Sequence, residues 1–461
     1  MSEQPGRPAG RRRVDAIAPS GLSRSMVLAI VVPVVAVLAA LLTNHEPVPA
    51  AAPVAPTQAP LTSLQLPCPS APRGEIGLGT VQADTRGGIS LHLGGAKRDA
   101  KVDSNQVTWI AEPDPTVADG RQGMAPGLLA TRFDDRRAAA VECHAPRPDT
   151  WFTGVGAASI HSSTLQLINP DSGPAIADVT VLSSHGVLAV NGLRGLTVPG
   201  GTVTTIDLSE QAPSRSELAV HVAVARGRLG VSLLDSFTER TSTADWISPQ
   251  FEPSLVNTIV GVPTGSGTRT LVVANPTDDE ARVQVKVIGA QSTFAPEGFD
   301  EISVPPQSVL VRNVDSIIGT AQTRDAVGLL VTSSQPVTAS VRSLVHDELS
   351  SAVAVPAFSH AGLVVPDGDA TLVVAAPDEA GSAQVTAYSA GGKLLLDRRI
   401  AAKKLTGATL ALPAHTAYVL VSSTTATLHG AVRIDSARGE ITLPLGDAVT
   451  SGLIPALQAV N

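Results

Sequence analysis

Residues Thr268 to Ala290 read TRTLVVANPTDDEARVQVKVIGA. Val283, Val285 and Val287 alternate there with Arg282, Gln284 and Lys286. A period of two puts the valines on one side of a strand and the polar residues on the other. An apolar run, Leu271 to Ala274, precedes them, and Asn275-Pro276 followed by four acidic or hydroxyl residues separates the two. Asn, Pro and Asp are turn residues, so the stretch predicts two strands joined by a tight connection.

The same phrase occurs twice more. STLQLINPDSGPAIADVTVLSSHG starts at Ser163, and DATLVVAAPDEAGSAQVTAYSAGG starts at Asp369. Asn169-Pro170 and Asn275-Pro276 lie 106 residues apart, and Ala376-Pro377 follows after another 101. A second marker keeps the first offset: LTVPGGTVTTIDL around Pro199 matches ISVPPQSVLVRNV around Pro305. Each copy closes on a third marker, GRLGVSLLDS from Gly227, QPVTASVRSLV from Gln335 and ATLHGAVRID from Ala426. Repeats of this length match one immunoglobulin-like sandwich with its own core. A propeller blade takes about 40–50 residues. The expected fold is mainly β, with three tandem immunoglobulin-like sandwiches over 158–255, 256–357 and 358–461. A propeller-like arrangement is the alternative.

Residues 67–157 read as a separate N-terminal β unit bracketed by Cys68 and Cys143, the two cysteines of the chain. In an oxidising compartment these are expected to pair, two separate buried thiols being the alternative.

The compartment is read from the other end. Arg7, Arg11, Arg12, Arg13 and Arg24 precede an uncharged run, MVLAIVVPVVAVLAALL, from Met26 to Leu42. The 19 residues from Ser25 to Thr43 make about 28 Å of helix, against a hydrocarbon core of about 30 Å. The expectation is a cytoplasmic basic tail over 1–24, a transmembrane signal anchor over 25–43 and an outward-facing bulk, by the positive-inside rule. Cleavage near Val48-Pro49-Ala50, giving a secreted protein, is the alternative. Residues 44–66 carry Pro47, Pro49, Pro53, Pro56 and Pro60 among alanines and read as an extended linker.

Composition excludes several classes. A net charge of −8 leaves no basic footprint for nucleic acid. Aromatics at 3% give few stacking platforms, and two cysteines cannot make a four-cysteine zinc module. Charged residues at 16% and a mean hydropathy of +0.19 are too apolar for a disordered chain. The 40 glycines and 35 prolines interrupt any long helix.

Leu66-Pro67-Cys68-Pro69, then Trp151-Phe152-Thr153-Gly154 after the second cysteine, then the Asn-Pro and Val-Pro repeats, form a recognisable order. The chain resembles the actinobacterial secreted and membrane-anchored proteins grouped as domain of unknown function 5719, over roughly residues 66–450. Ala376, where the other copies have Asn, departs from the pattern. The resemblance implies an envelope setting and carries no established activity.

The chain contains no HExxH, GxSxG, Walker or EF-hand motif, and no cofactor is expected. The ten histidines are scattered, and a strand residue such as His221 reads as solvated. Asp278, Asp279 and Glu280 form an acidic turn. Trp151, Phe152 and Trp246 stand out in an aromatic-poor chain near unit boundaries. These six are candidates for an interaction surface, with turn chemistry and packing as the plainer readings. The expected function is a non-catalytic, membrane-tethered scaffold or interaction protein of the bacterial cell envelope. Its partners would be the membrane, through one helix, and envelope proteins or polysaccharide. The alternative is a glycan-binding accessory of envelope polysaccharide assembly.

Overall fold

The computed structural model describes residues 23–42, 57–238, 242–320, 323–425, 427–436 and 439–454. The tail before residue 23, Thr43 of the expected anchor, residues 44–56 of the expected linker and residues 455–461 lie outside them.

Arg24–Leu42 is one helix with Pro33 inside it. Its side chains are described over the 16 residues from Arg24 to Ala39, about 24 Å of helix. Among the described residues no helix is long and apolar enough to cross a membrane. The transmembrane anchor expected over 25–43 is therefore not found there. The linker reading also needs correction. Ser63–Cys68 is a strand whose Leu64 and Leu66 are buried, a period-two signal masked in the sequence by the neighbouring prolines.

Residues Gln58–Ile454 form a compact unit of their own. It is mainly β and is built from several separate sheets, none closed into a barrel. The first eight strands after the linker run Ser63–Cys68, Gly74–Thr80, Arg86–Leu93, Ala96–Asp103, Thr108–Ala111, Thr116–Arg121, Leu128–Asp134 and Ala139–Glu142. Called one to eight, they pair as two antiparallel sheets, in the orders one-six-three-four and five-two-seven-eight. Leu64, Leu66, Leu91 and Val102 of the first sheet meet Ile76, Leu78 and Leu128 of the second in one apolar cluster.

The same two orders recur three times. In the second repeat Asp149–Ala157, Arg215–Arg226 and Ala175–Ser183 take places one, six and three. His161–Ile168, Gly230–Phe237 and Thr243–Ile247 take two, seven and eight. In the third repeat one strand of 20 residues, Ala326–Val345, serves as both six and seven. Its first half pairs with Ser254–Val260 and Ala281–Gly289, its second half with Gly267–Asn275 and Glu348–Val353. In the fourth repeat His360–Val364 is strand one and Gly439–Pro444 strand eight. The N-terminal unit, read from the sequence as different in kind, thus has the strand order of the other three.

Each repeat encloses its own apolar cluster, and a second set of clusters joins neighbours. Trp151, Leu182 and Ala219 of the second repeat pack on Val272, Ala274 and Val309 of the third. Val260, Ile288 and Leu330 of the third pack on Val373, Ala375 and Ala431 of the fourth. Val364 and Tyr418 of the fourth pack on Val81 and Leu129 of the first, where Tyr418 Oη donates to the Thr80 carbonyl at 2.7 Å. In each case the one-six-three-four sheet of one repeat meets the five-two-seven-eight sheet of the next, and the fourth repeat returns to the first. The circuit is closed. The four eighth strands pack against one another at its centre.

The paired sequence markers have a physical cause. Asn169 and Asn275 are fully buried. Asn275 Nδ2 donates to the carbonyls of Asp279 at 2.7 Å, Val304 at 3.2 Å and Pro305 at 3.1 Å, while its Oδ1 accepts from the Thr277 amide. Asn169 does the same with Gly173 and Val198. The Asn-Pro turn and the Val-Pro segment are thus hydrogen-bonded to each other, which is why they recur at one offset. In the fourth repeat, with Ala376, a backbone bond from Leu405 N to Ala376 O at 2.8 Å closes the turn instead.

Candidate functional site

The sequence candidates scatter. Phe152 lies in the core of the second repeat. Trp151 is 8% exposed and stacks on His221, with ring centroids 4.0 Å apart. His221 is thus partly covered rather than solvated, and it bonds Asp149 at 2.9 Å. Trp246 is buried against Ala139 and Val141 of the first repeat. Asp278, Asp279 and Glu280 stay on the turn held by Asn275, and Gln307 donates to the Asp278 carboxylate. The structure does not bring these six residues together. No group of three or more His, Cys, Asp or Glu among the described residues is arranged to hold a metal ion. Cys68 and Cys143 are disulfide-bonded, with Cα atoms 5.0 Å apart.

A buried polar joint sits where the second and third repeats meet. His161 Nε2 lies 3.0 Å from both oxygens of Asp235, and Nδ1 lies 2.6 Å from the Ser216 carbonyl. Ser163 Oγ donates to Asp235 at 2.5 Å. Arg342 reaches in from the third repeat and pairs with Glu217 at 2.7 Å. Burial alone lowers the His161 pKa, but the Asp235 charge and hydrogen bond outweigh it and raise it. The Ser163 hydroxyl is committed to the carboxylate, not to the imidazole, so the trio does not form a nucleophile–base relay. It acts as a charged joint between repeats.

Beside the disulfide, Glu142 and His144 line a narrow crevice with Arg147, Thr150 and Phe251. Its volume of about 10 Å³ admits no more than one water. Burial raises Glu142 to about 8 and, with the Arg147 charge, lowers His144 to about 4. A carboxyl raised in the folded state contributes stability below its unfolded pKa that is lost as pH rises through its folded one. A lowered imidazole contributes stability at high pH that is lost as pH falls from about 6.5 to 4. The two trends oppose each other between pH 4.5 and 6.5, leaving a net fall from 6.5 to 8. Glu142→Gln is expected to remove roughly 1–2 kcal/mol of that fall, since Glu142 keeps a little exposed surface. Urea titrations of both proteins at pH 6.5 and 8 measure it, and equal slopes would refute the assignment.

A concavity beside charged side chains lies on the outer face of the first repeat's one-six-three-four sheet. It has a volume of about 630 Å³ and is lined by Arg86, Gly88, Ser90, Lys101, Asp119 and Arg121, among others. Alternation explains the composition. Ile89, Leu91, Ala100, Val102 and Ala118 turn into the core, which leaves their neighbours on the outside. Register places them side by side, Asp119 opposite Ser90 and Ser90 opposite Asp99, with Gly88 opposite Lys101. Asp119 Oδ2 is held by Arg121 at 2.7 Å and by His92 at 3.3 Å. Asp119 Oδ1 and Ser90 Oγ are buried without a hydrogen-bond partner.

This groove adjoins the seam between repeats one and two. At that seam the apolar cluster around Trp246 is flanked by polar contacts. Gln166 exchanges bonds with Ser70 at 3.0 and 2.6 Å, and Arg228 bonds Gln65 at 2.7 Å. At Gly230 the two backbones come so close that a Cβ would lie 2.3 Å from Pro67. Sequence reading missed the groove because its residues span more than thirty positions and only strand register unites them.

No curated protein matches the chain. A family of unknown function, DUF5719, matches residues 99–415, more than half the chain and parts of all four repeats, and the protein belongs to that family.

Proposed function

We propose that the protein is a non-catalytic scaffold of the bacterial cell envelope, tethered by its N-terminal apolar segment with its β body outside the cytoplasm. The observation that carries the reading is the closed circuit of four repeats, since each repeat is fixed by two neighbours and presents its outer loops from a rigid frame. The arginine-rich flank before Met26 supports the orientation. We take each repeat to be an immunoglobulin-like sandwich. Pairings two–five and three–six are those of that fold, and strands one and seven have exchanged sheets. From first strand to eighth, we place the repeats at 63–142, 149–247, 254–353 and 360–444, in place of the expected units at 67–157, 158–255, 256–357 and 358–461. The polar groove on the first repeat favours a second reading, a glycan-binding accessory of polysaccharide assembly.

The test joins topology and partner. Leu255 is 50% exposed, so Leu255→Cys should react with an impermeant maleimide in intact cells whose outer wall admits it. Cross-linking from the same cells should capture envelope proteins reproducibly. Labelling only after lysis would reverse the orientation, and a body recovered alone at every cross-linker length would remove the scaffold.

A further inference from the structure

We infer that the groove on the first repeat binds an acidic sugar, a polyol that carries a carboxylate or similar anion. This deepens the glycan-binding reading above and is independent of the scaffold.

Two rows of side chains cross the groove. In the first, Gly88 lies opposite Lys101 on one neighbouring strand, and Arg121, two residues beyond Asp119 on the other, lines the same groove. Two cations thus flank a position with no side chain. Gly88 is exposed, and a Cβ there would meet nothing nearer than the Ala100 carbonyl at 3.8 Å, so neither crowding nor backbone angle requires glycine. The space itself is what its absence of a side chain provides. Lys101 Nζ has no side-chain partner among the described residues, while Arg121 is already oriented by Asp119. An anion seated over Gly88 would be met from both sides.

The second row supplies the hydroxyl contacts. Asp119 has a side chain only 6% exposed, and its Oδ1 lacks a donor. Ser90 Oγ, directly opposite, lacks a partner as well. Buried polar atoms without partners are costly and rare in folded proteins. A carboxylate oxygen accepts from a hydroxyl, and a serine hydroxyl both donates and accepts. Adjacent hydroxyls of a sugar ring meet both requirements, and the anion row lies one register step away. A volume of about 630 Å³ accommodates a ring of that size.

Full-length protein in detergent is titrated calorimetrically with D-glucuronate, D-glucose and a uronic-acid tetrasaccharide. Glucuronate is expected to bind with a dissociation constant on the order of 1 mM, and glucose at least tenfold more weakly. Tetrasaccharide binding at least tenfold tighter than glucuronate identifies an internal polymer unit as the occupant; equal affinity identifies the free sugar or chain end. Asp119→Asn should weaken glucuronate at least tenfold. Since Asp119 is buried, the exposed Gly88→Phe provides the second variant, filling the slot and abolishing binding while melting unchanged. Saturable binding that survives Gly88→Phe, glucose binding as tight as glucuronate, or no binding of either acidic sugar would each overturn the inference. None of these results bears on the cross-linking that tests the scaffold.

Discussion

Val285→Asp should unfold the third repeat and loosen its neighbours with it. Val285 is 3% exposed and packs among Val283, Val287, Leu329 and Val331. A carboxylate placed there has no cation within the cluster, and an unpaired buried charge costs several kcal/mol, comparable to a domain's whole stability. Three independent sandwiches would confine the damage to residues 256–357. The shared faces predict a wider loss. Once the third repeat opens, Trp151 and Leu182 lose Val272 and Ala274, and Val373 and Ala375 lose Val260 and Leu330. Limited proteolysis followed by mass mapping should therefore find early cuts in repeats two and four as well as three. Cuts confined to 256–357, with the flanking repeats melting as in the unaltered protein, would show that the seams contribute little.

Cys143→Ser carries the second large expected effect. The bridge closes a loop with a sequence separation of 75 and joins strand one to the end of strand eight across the first repeat's core. In the chain-entropy model such a loop is worth about 4–5 kcal/mol. The variant, or the reduced protein, should melt well below the oxidised form, and the first repeat should lose protection before the others. The same melting temperature with and without reductant would mean that seams with the second and fourth repeats, not the bridge, hold the first repeat in place.

Much of this was legible where a residue type has one physical role. The valines of 283–287 announce a strand because alternation has no other cause. Asn169 and Asn275 announce a turn, and their partners at Val198 and Val304 explain a marker pair that the sequence could only count. The first repeat was illegible as a repeat because it lacks that asparagine. Thr80-Val81-Gln82 stands where strand two ends, the turn is held by Thr80 Oγ1 accepting from the Gln82 amide, and topology survives without the phrase that reveals it. Seams were hidden for another reason. Trp151 and Ile288 look like any strand residue until a second sheet covers them, and Asp119, Ser90 and Gly88 acquire meaning only from register.

The contact between Tyr418 and Thr80 spans 338 residues of chain. It sets an order of events. A chain delivered N-terminus first makes the first repeat early, yet the surface formed by Val81, Leu129 and Trp109 stays uncovered until the fourth repeat arrives. Non-local closure of this kind is slow, since the entropy of the long loop must be met before the contact returns anything. For that interval the nascent protein offers an apolar face to every neighbour in its compartment. The rate at which the chain is delivered and the speed of the last repeat's folding then jointly decide how much protein finishes as a ring and how much joins another unfinished copy.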